Sequence, residues 1–258
     1  PALTVFGAFA YGRDRASGLM PGGVTLPAVP RTPGAAEHLH ATENVSTAPA
    51  LLSTPTGISR FAAVLQPTAA HARPSGTSRV VTHLTTRTPE GTTNIVLLLE
   101  RVDLNGTLWI RVRLPILPNN TTGWVPRAAL GGYNAVSTHL VVDTAKLRAT
   151  LYRKGHAIFS APVGVGKQAT PTPRGQFYIR NELTKFANAF YGPLAFGTSA
   201  RSAVLTDWPA GGYVGIHGTN EPDILPGRVP HGCIRLRNGD LLRPAQLMLP
   251  RTPRTIRW

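Results

Sequence analysis

The stretch "IHGTNEPDILPGRVPHGCIRLRNGD", Ile216 to Asp240, decides how this chain is read. It holds Cys233, the only cysteine in 258 residues. It also holds two His-Gly steps, His217-Gly218 and His231-Gly232, the second running directly into the cysteine. One cysteine cannot close an intramolecular disulfide, and structural zinc sites need two or more in nearly every pattern. The thiol is therefore either an inert small hydrophobe or a reactive group. A reactive thiol needs a base, a partner that orients the base, and donors for an oxyanion. The stretch can supply each part. Cys233 is the candidate nucleophile, and His217, at the end of an expected strand, is the candidate base. Gly232 has no side chain, so its N–H can approach a substrate carbonyl closely. On a strand, His231 and Cys233 would face the same way. With His217 beside it, the thiol is expected to ionise well below its usual pKa of about 8.5. A rival reading makes His217, His231 and Cys233 the ligands of a zinc ion.

The surrounding sequence is β-rich. "STHLVVDTAKLRATLYRKGHAIFSAPVGVG" predicts three strands, with a hairpin turn at Gly155. "TPTPRGQFYIRNE", "GPLAFGTSA", "YVGIHGT" and "HGCIRL" continue the pattern, and "RTIRW" makes a last strand. Asn238 is expected to cap a short helix with Asp240 in its first turn, where Pro244 limits its regularity. Residues 136–258 are thus one unit. Residues 78–132 form a second, in which the Asn105-Gly106 step in "DLNGTLWIRV" marks a hairpin. Residues 1–77, rich in Pro, Ala, Thr and Gly, read as a disordered leader or linker, with one short helix in "ISRFAAVLQ".

Composition narrows the partners. Lys+Arg 27 against Asp+Glu 12 gives a net charge of +15, which favours an anionic environment. The basic residues are dispersed and no nucleic-acid-binding motif is present, so nucleic acid is not an expected partner. No apolar stretch is long enough for a transmembrane helix.

The Ile216–Asp240 stretch resembles the signature of the L,D-transpeptidase (YkuD-type) catalytic domain. That signature is a His-Gly pair, a spacer of similar length, then Ser/Thr-His-Gly-Cys and an Arg or Asn two residues on. "HLVVDTAKLRATLYRKGHAIFSAPVGVGKQATPTPRGQFYI" is similar to the family's opening, and "YGPLAFGTSA" to its central strand. The resemblance covers about 120 residues at the C-terminal end. Separately, Gly-Trp-Val-Pro before "RAAL" resembles the end of a bacterial SH3-like barrel.

The resemblance implies a mainly β fold: a β-sandwich or barrel-like catalytic domain with short helices, preceded by a small SH3-like β-barrel. It implies a cell-wall enzyme, secreted or otherwise extracytoplasmic, that acts on peptidoglycan stem peptides through a Cys233 thioester and forms 3→3 cross-links. Cys233 matches the acylated cysteine and His217 the base. Gly218 matches the residue whose carbonyl orients that base. His231 and Gly232 match the segment beside the oxyanion, and Arg235 a position near the substrate carboxylate. No metal or cofactor is implied, and anionic wall polymers are further expected partners. One departure stands out: Pro230 occupies the Ser/Thr place, which removes a hydroxyl and a backbone N–H and is expected to loosen His231. The alternatives are a zinc-dependent peptidoglycan peptidase or amidase, and a non-catalytic wall-binding protein with a decayed enzyme domain.

Overall fold

The computed structural model describes residues 48–54, 57–184, 189–205, 212–247 and 255–257. Two sheets lie within one compact unit that runs from Asn44 to Trp258. The first takes β1 (Ala50–Leu51), β2 (Ser59–Ala63), β3 (Thr68–His71), β4 (Val80–Leu84), β5 (Ile95–Leu104), β6 (Thr107–Arg113), β7 (Thr122–Pro126) and β8 (Asn134–Val136). Its order is β4-β3-β7-β6-β5-β2-β8, with β1 on β5.

The second sheet takes β9 (Thr138–Asp143), β10 (Arg148–Arg153), β11 (His156–Pro162), β12 (Gly164–Gly166), β13 (Gln176–Leu183), β14 (Ala195–Arg201), β15 (Tyr213–His217), β16 (Gly227–Val229), β17 (Ile234–Arg235) and β18 (Thr255–Arg257). Its order is β11-β10-β9-β18-β13-β14-β15-β17-β12-β16. Helix α1, Asn238–Leu247, follows β17 and contains Pro244. Single turns of 3-10 helix occupy Arg127–Ala129, Ala189–Tyr191 and Pro222–Ile224. The fold is mainly β, with short helices, as the sequence predicts.

Local chemistry explains the hairpins. Asn105 and Gly106 both have positive φ (52° and 73°), as do Lys154 and Gly155 (49° and 82°). Two successive left-handed residues match the twist of the flanking strands, which is why Asn-Gly and Lys-Gly close β5–β6 and β10–β11. Each sheet packs its own core. Leu98, Ile110, Val112 and Val125 anchor the first; Leu151, Val165, Phe177, Phe196, Ile216 and Ile234 anchor the second.

The expected linker boundary is corrected. Strands β1, β2 and β3 of the first sheet fall inside the stretch expected as leader. The expected helix in "ISRFAAVLQ" is strand β2, where Phe61 and Ala62 are buried against β5. Apolar content without helical periodicity placed this segment in a sheet, and distant pairing decided it. The earlier part of the 1–77 reading, up to residue 47, lies outside the described residues.

The two sheets are joined by polar contacts. Arg180 on β13 is almost fully buried and pairs with Glu90 Oε2 at 3.2 Å. Asn181 Nδ2 donates to the same oxygen and to Thr92 Oγ1, each at 3.2 Å. Asn119 Nδ2 donates to Arg201 O at 2.7 Å, and Asn120 Oδ1 accepts the Gln176 N–H at 2.8 Å.

Candidate active site

The site forms where β15 and β17 run parallel, with Ile216 opposite Ile234 and His217 opposite Arg235. Cys233 immediately precedes β17 and is half-buried with a free thiol. The Gly215 N–H on β15 donates to Cys233 Sγ at 3.3 Å. A Cβ built on Gly215 would stand 3.9 Å from both Cys233 Sγ and His217 Cδ2. Nucleophile and base candidates therefore flank the same bare backbone position.

His217 is 1% exposed. Its Nδ1 lies 2.6 Å from Gly218 O. A carbonyl can only accept, so Nδ1 carries the proton and Nε2 keeps its lone pair. That Nε2 is buried and has no hydrogen-bond partner among the described residues. Tyr191 and Phe190 wall the imidazole, with ring centroids 5.0 and 5.6 Å away. Burial pushes the His217 pKa down to about 4, against the opposing Gly218 carbonyl. Burial likewise pushes the Cys233 thiol up, although the Gly215 N–H and the Arg235 charge pull the other way. Desolvation penalises both charged forms, so it works against the expected ready-made thiolate and toward a neutral thiol beside a neutral imidazole.

The loop before Cys233 also departs from expectation. His231 and Gly232 do not lie on a strand; both turn through the left-handed region, at φ 73° and 74°. The same-face argument for His231 and Cys233 thus fails. His231 is held instead by its N–H, which donates to Thr170 Oγ1 at 3.2 Å. Thr172 is 7% exposed and bridges two segments: its Oγ1 accepts the Gly166 N–H and donates to Gly232 O, both at 2.8 Å. Gly166 and Gly232 pack so closely that a Cβ on Gly166 would sit 2.8 Å from Gly232 Cα. These threonines from another segment hold the turn where Pro230 offers no hydroxyl.

Arg235 is 1% exposed. Its Nη1 meets Glu221 Oε2 at 3.4 Å, its Nη2 reaches Pro230 O at 3.5 Å, and the guanidinium stacks 4.2 Å over Phe190. A substrate carboxylate near it, as the resemblance implies, would meet Glu221 as a competitor. Asn238 opens α1, and its Oδ1 accepts the Thr219 N–H at 2.9 Å. That tie fixes the turn after His217-Gly218, and a Cβ on Gly218 would collide with the same Oδ1 at 2.2 Å.

Sequence reasoning missed Gly215, Thr170, Thr172, Phe190, Tyr191 and Glu221. All but Phe190 lay in segments already noticed, but no motif or spacing marked them out. Among the described residues, no group of three or more His, Cys, Asp or Glu is placed to hold a metal ion, so the donor set of the zinc reading is not assembled. No helix among the described residues is long and apolar enough to cross a membrane.

Residues 137–256 match the model of the L,D-transpeptidase catalytic domain, YkuD. Two curated relatives are candidate L,D-transpeptidases named YkuD. The Bacillus licheniformis protein is 34% identical over 98 residues, which cover 38% of this chain and 52% of the relative. The Bacillus subtilis protein is 31% identical over 110 residues, covering 43% of this chain and 60% of the relative. The chain thus spans just over half the length of each. The catalytic domain of an Enterococcus faecium L,D-transpeptidase is a similar solved structure, at 23% identity and TM-score 0.34, covering 46% of this chain and 95% of that one. By family model and curated relatives together, residues 137–256 of this chain are similar to the YkuD L,D-transpeptidase catalytic domain.

Proposed function

We propose that this protein is an extracytoplasmic L,D-transpeptidase that transfers peptidoglycan stem peptides through a thioester on Cys233. The observation that carries the reading is the tautomer of His217. Its Nδ1 proton is spent on Gly218 O, so Nε2 is the basic nitrogen, and the Gly215 position lies beside both the Cδ2 edge of the imidazole and the Cys233 sulfur.

The chemistry runs in two halves. As Sγ attacks the carbonyl of a diaminopimelate residue, its proton passes to Nε2. Both groups are neutral at rest, so the transfer accompanies attack. The carbonyl becomes an oxyanion, met by backbone N–H groups of the Gly232–Cys233 turn. Collapse breaks the carbon–nitrogen bond, and the leaving D-amino acid takes the proton from Nε2. An amine of a second stem then attacks the thioester, gives its proton to Nε2, and the thiol recovers it. The product is a 3→3 cross-link. Arg235, positioned over Phe190, biases the sulfur toward thiolate during the first step. The β7 ending Gly123-Trp124-Val125-Pro126 supports an SH3-like role for the first sheet in positioning wall glycan, and the net charge of +15 suits anionic wall polymers.

The test is intact mass after incubation with a stem tetrapeptide and, separately, with a carbapenem. Wild type gains one acyl adduct on Cys233 with each, and releases the terminal D-amino acid from the peptide. Cys233→Ser forms no stable thioester, and His217→Ala loses acylation by the peptide. A wild-type protein that binds wall sacculi yet never acquires an adduct would favour the non-catalytic reading.

A further inference from the structure

A cavity of about 350 Å³ opens beside the Cys233 turn. Its lining includes Thr144, Gly166, Lys167, Thr172, Arg174 and Arg228. Three of these are cations and no lining residue is acidic. Lys167, Arg174 and Arg228 are exposed, and none forms an ion pair among the described residues. Arg228 is steadied by Nη2, which donates to Thr144 O at 2.9 Å. Uncompensated cations around a concave surface focus positive potential into it.

The cavity's place in the sheet gives it a direction. β17 stands between β15 and β12, and β16 lies beyond β12. His217 is on β15, whereas Gly166 ends β12 and Arg228 is on β16. The base and the cavity therefore lie to opposite sides of the strand that Cys233 leads into. Thr172 belongs to the cavity wall and also holds Gly232 O, so the cavity adjoins the turn itself. Acyl transfer divides its substrate at the carbonyl above the sulfur. The leaving amine must take a proton from Nε2, so it lies toward β15. The retained acyl part then runs the other way, toward β12 and β16.

We propose that this cavity binds a carboxylate on the retained part of the acyl donor, so that the enzyme selects anionic stems over amidated ones. The inference rests on the transpeptidase reading above. Guanidinium groups of Arg174 and Arg228 can hold a carboxylate in bidentate fashion, with Lys167 as a point charge beside them. Arg235, buried against Glu221, does not compete for that role.

The test compares wild type with the triple variant K167Q/R174Q/R228Q. Two stem tetrapeptides are used as donors: one with its glutamate and diaminopimelate side carboxylates free, one with both as carboxamides. Acylation of Cys233 is followed by mass spectrometry. With the free-carboxylate donor, the variant should raise KM by about tenfold or more, the loss of one good charge-assisted contact. With the carboxamide donor, wild type and variant should agree within about twofold. Alkylation of Cys233 by iodoacetamide reports whether the turn is intact in the variant. Equal losses on both donors, or no loss on either, would overturn the proposal. Calorimetric binding of the two peptides to Cys233→Ala separates the two readings. Carboxylate-dependent binding that vanishes in the triple variant upholds the cavity even where no acyl transfer occurs. Binding that ignores the carboxylates refutes it even where transfer is robust.

Discussion

Thr172→Val replaces a hydroxyl by a methyl at nearly constant shape, so its effect isolates two hydrogen bonds. In the structure the hydroxyl accepts the Gly166 N–H and donates to Gly232 O, at 2.8 Å each. Gly166 and Gly232 are both buried, as is Thr172. Valine leaves one buried donor and one buried acceptor without partners. Each orphaned buried group costs about 1–3 kcal/mol, so the pair costs roughly 2–6 kcal/mol. For a protein of this size, one kcal/mol moves Tm by about 2–4 °C, which predicts a fall of roughly 4–24 °C. Differential scanning calorimetry measures it directly. Iodoacetamide alkylation of the native protein should also speed up, because the turn before Cys233 loses its anchor. Thr172→Ser keeps the hydroxyl and should recover most of the loss. A Val variant that melts within about 1 °C of wild type, or a Ser variant no better than Val, would show that Thr172 does not hold the turn.

The ionisation of the site makes further predictions. Burial raises the Cys233 thiol, so its alkylation rate should stay low at neutral pH and climb about tenfold per pH unit into the alkaline range; a plateau below pH 7 would contradict the neutral resting pair. His217 titrates near 4 when folded, against 6.5 as the ordinary value. Its contribution to stability is complete above pH 6.5 and is lost as pH falls toward 4, by about 3 kcal/mol in all. Urea titration of wild type against His217→Gln over that range should show the wild-type curve falling more steeply. Gly166→Ala places a Cβ within 2.2 Å of Thr170 O and 2.7 Å of the Thr172 N, both backbone atoms, and should cost about 1–3 kcal/mol or more along with the acylation rate. Glu90→Ala leaves Arg180 charged, almost fully buried and without its acid, so a loss of about 3–5 kcal/mol is expected in chemical denaturation, with Glu90→Gln milder because its carbonyl can still accept.

Some of this protein was legible in its sequence because the causes are local. The turns at Asn105-Gly106 and Lys154-Gly155 need left-handed backbone, which the glycines and Asn105 tolerate at little cost. The spacing of His217, Gly218 and Cys233 carried the family likeness, and alternating apolar residues carried the strands of the second sheet. Other features were decided only in three dimensions. Strands β2 and β3 consist largely of Ala, Ser and Thr, whose strand character comes from pairing with β5 and β7 rather than from intrinsic preference. The resemblance sets Arg235 near the substrate carboxylate, but only the parallel pairing with β15 shows it turned inward onto Phe190 and Glu221. The threonines that steady the cysteine turn lie some sixty residues before it in the chain. The direction of the Cys233 titration reversed expectation for the same reason. A histidine next to a cysteine favours the ion pair in water, but burial is a property of the assembled fold, and here it decides the charge.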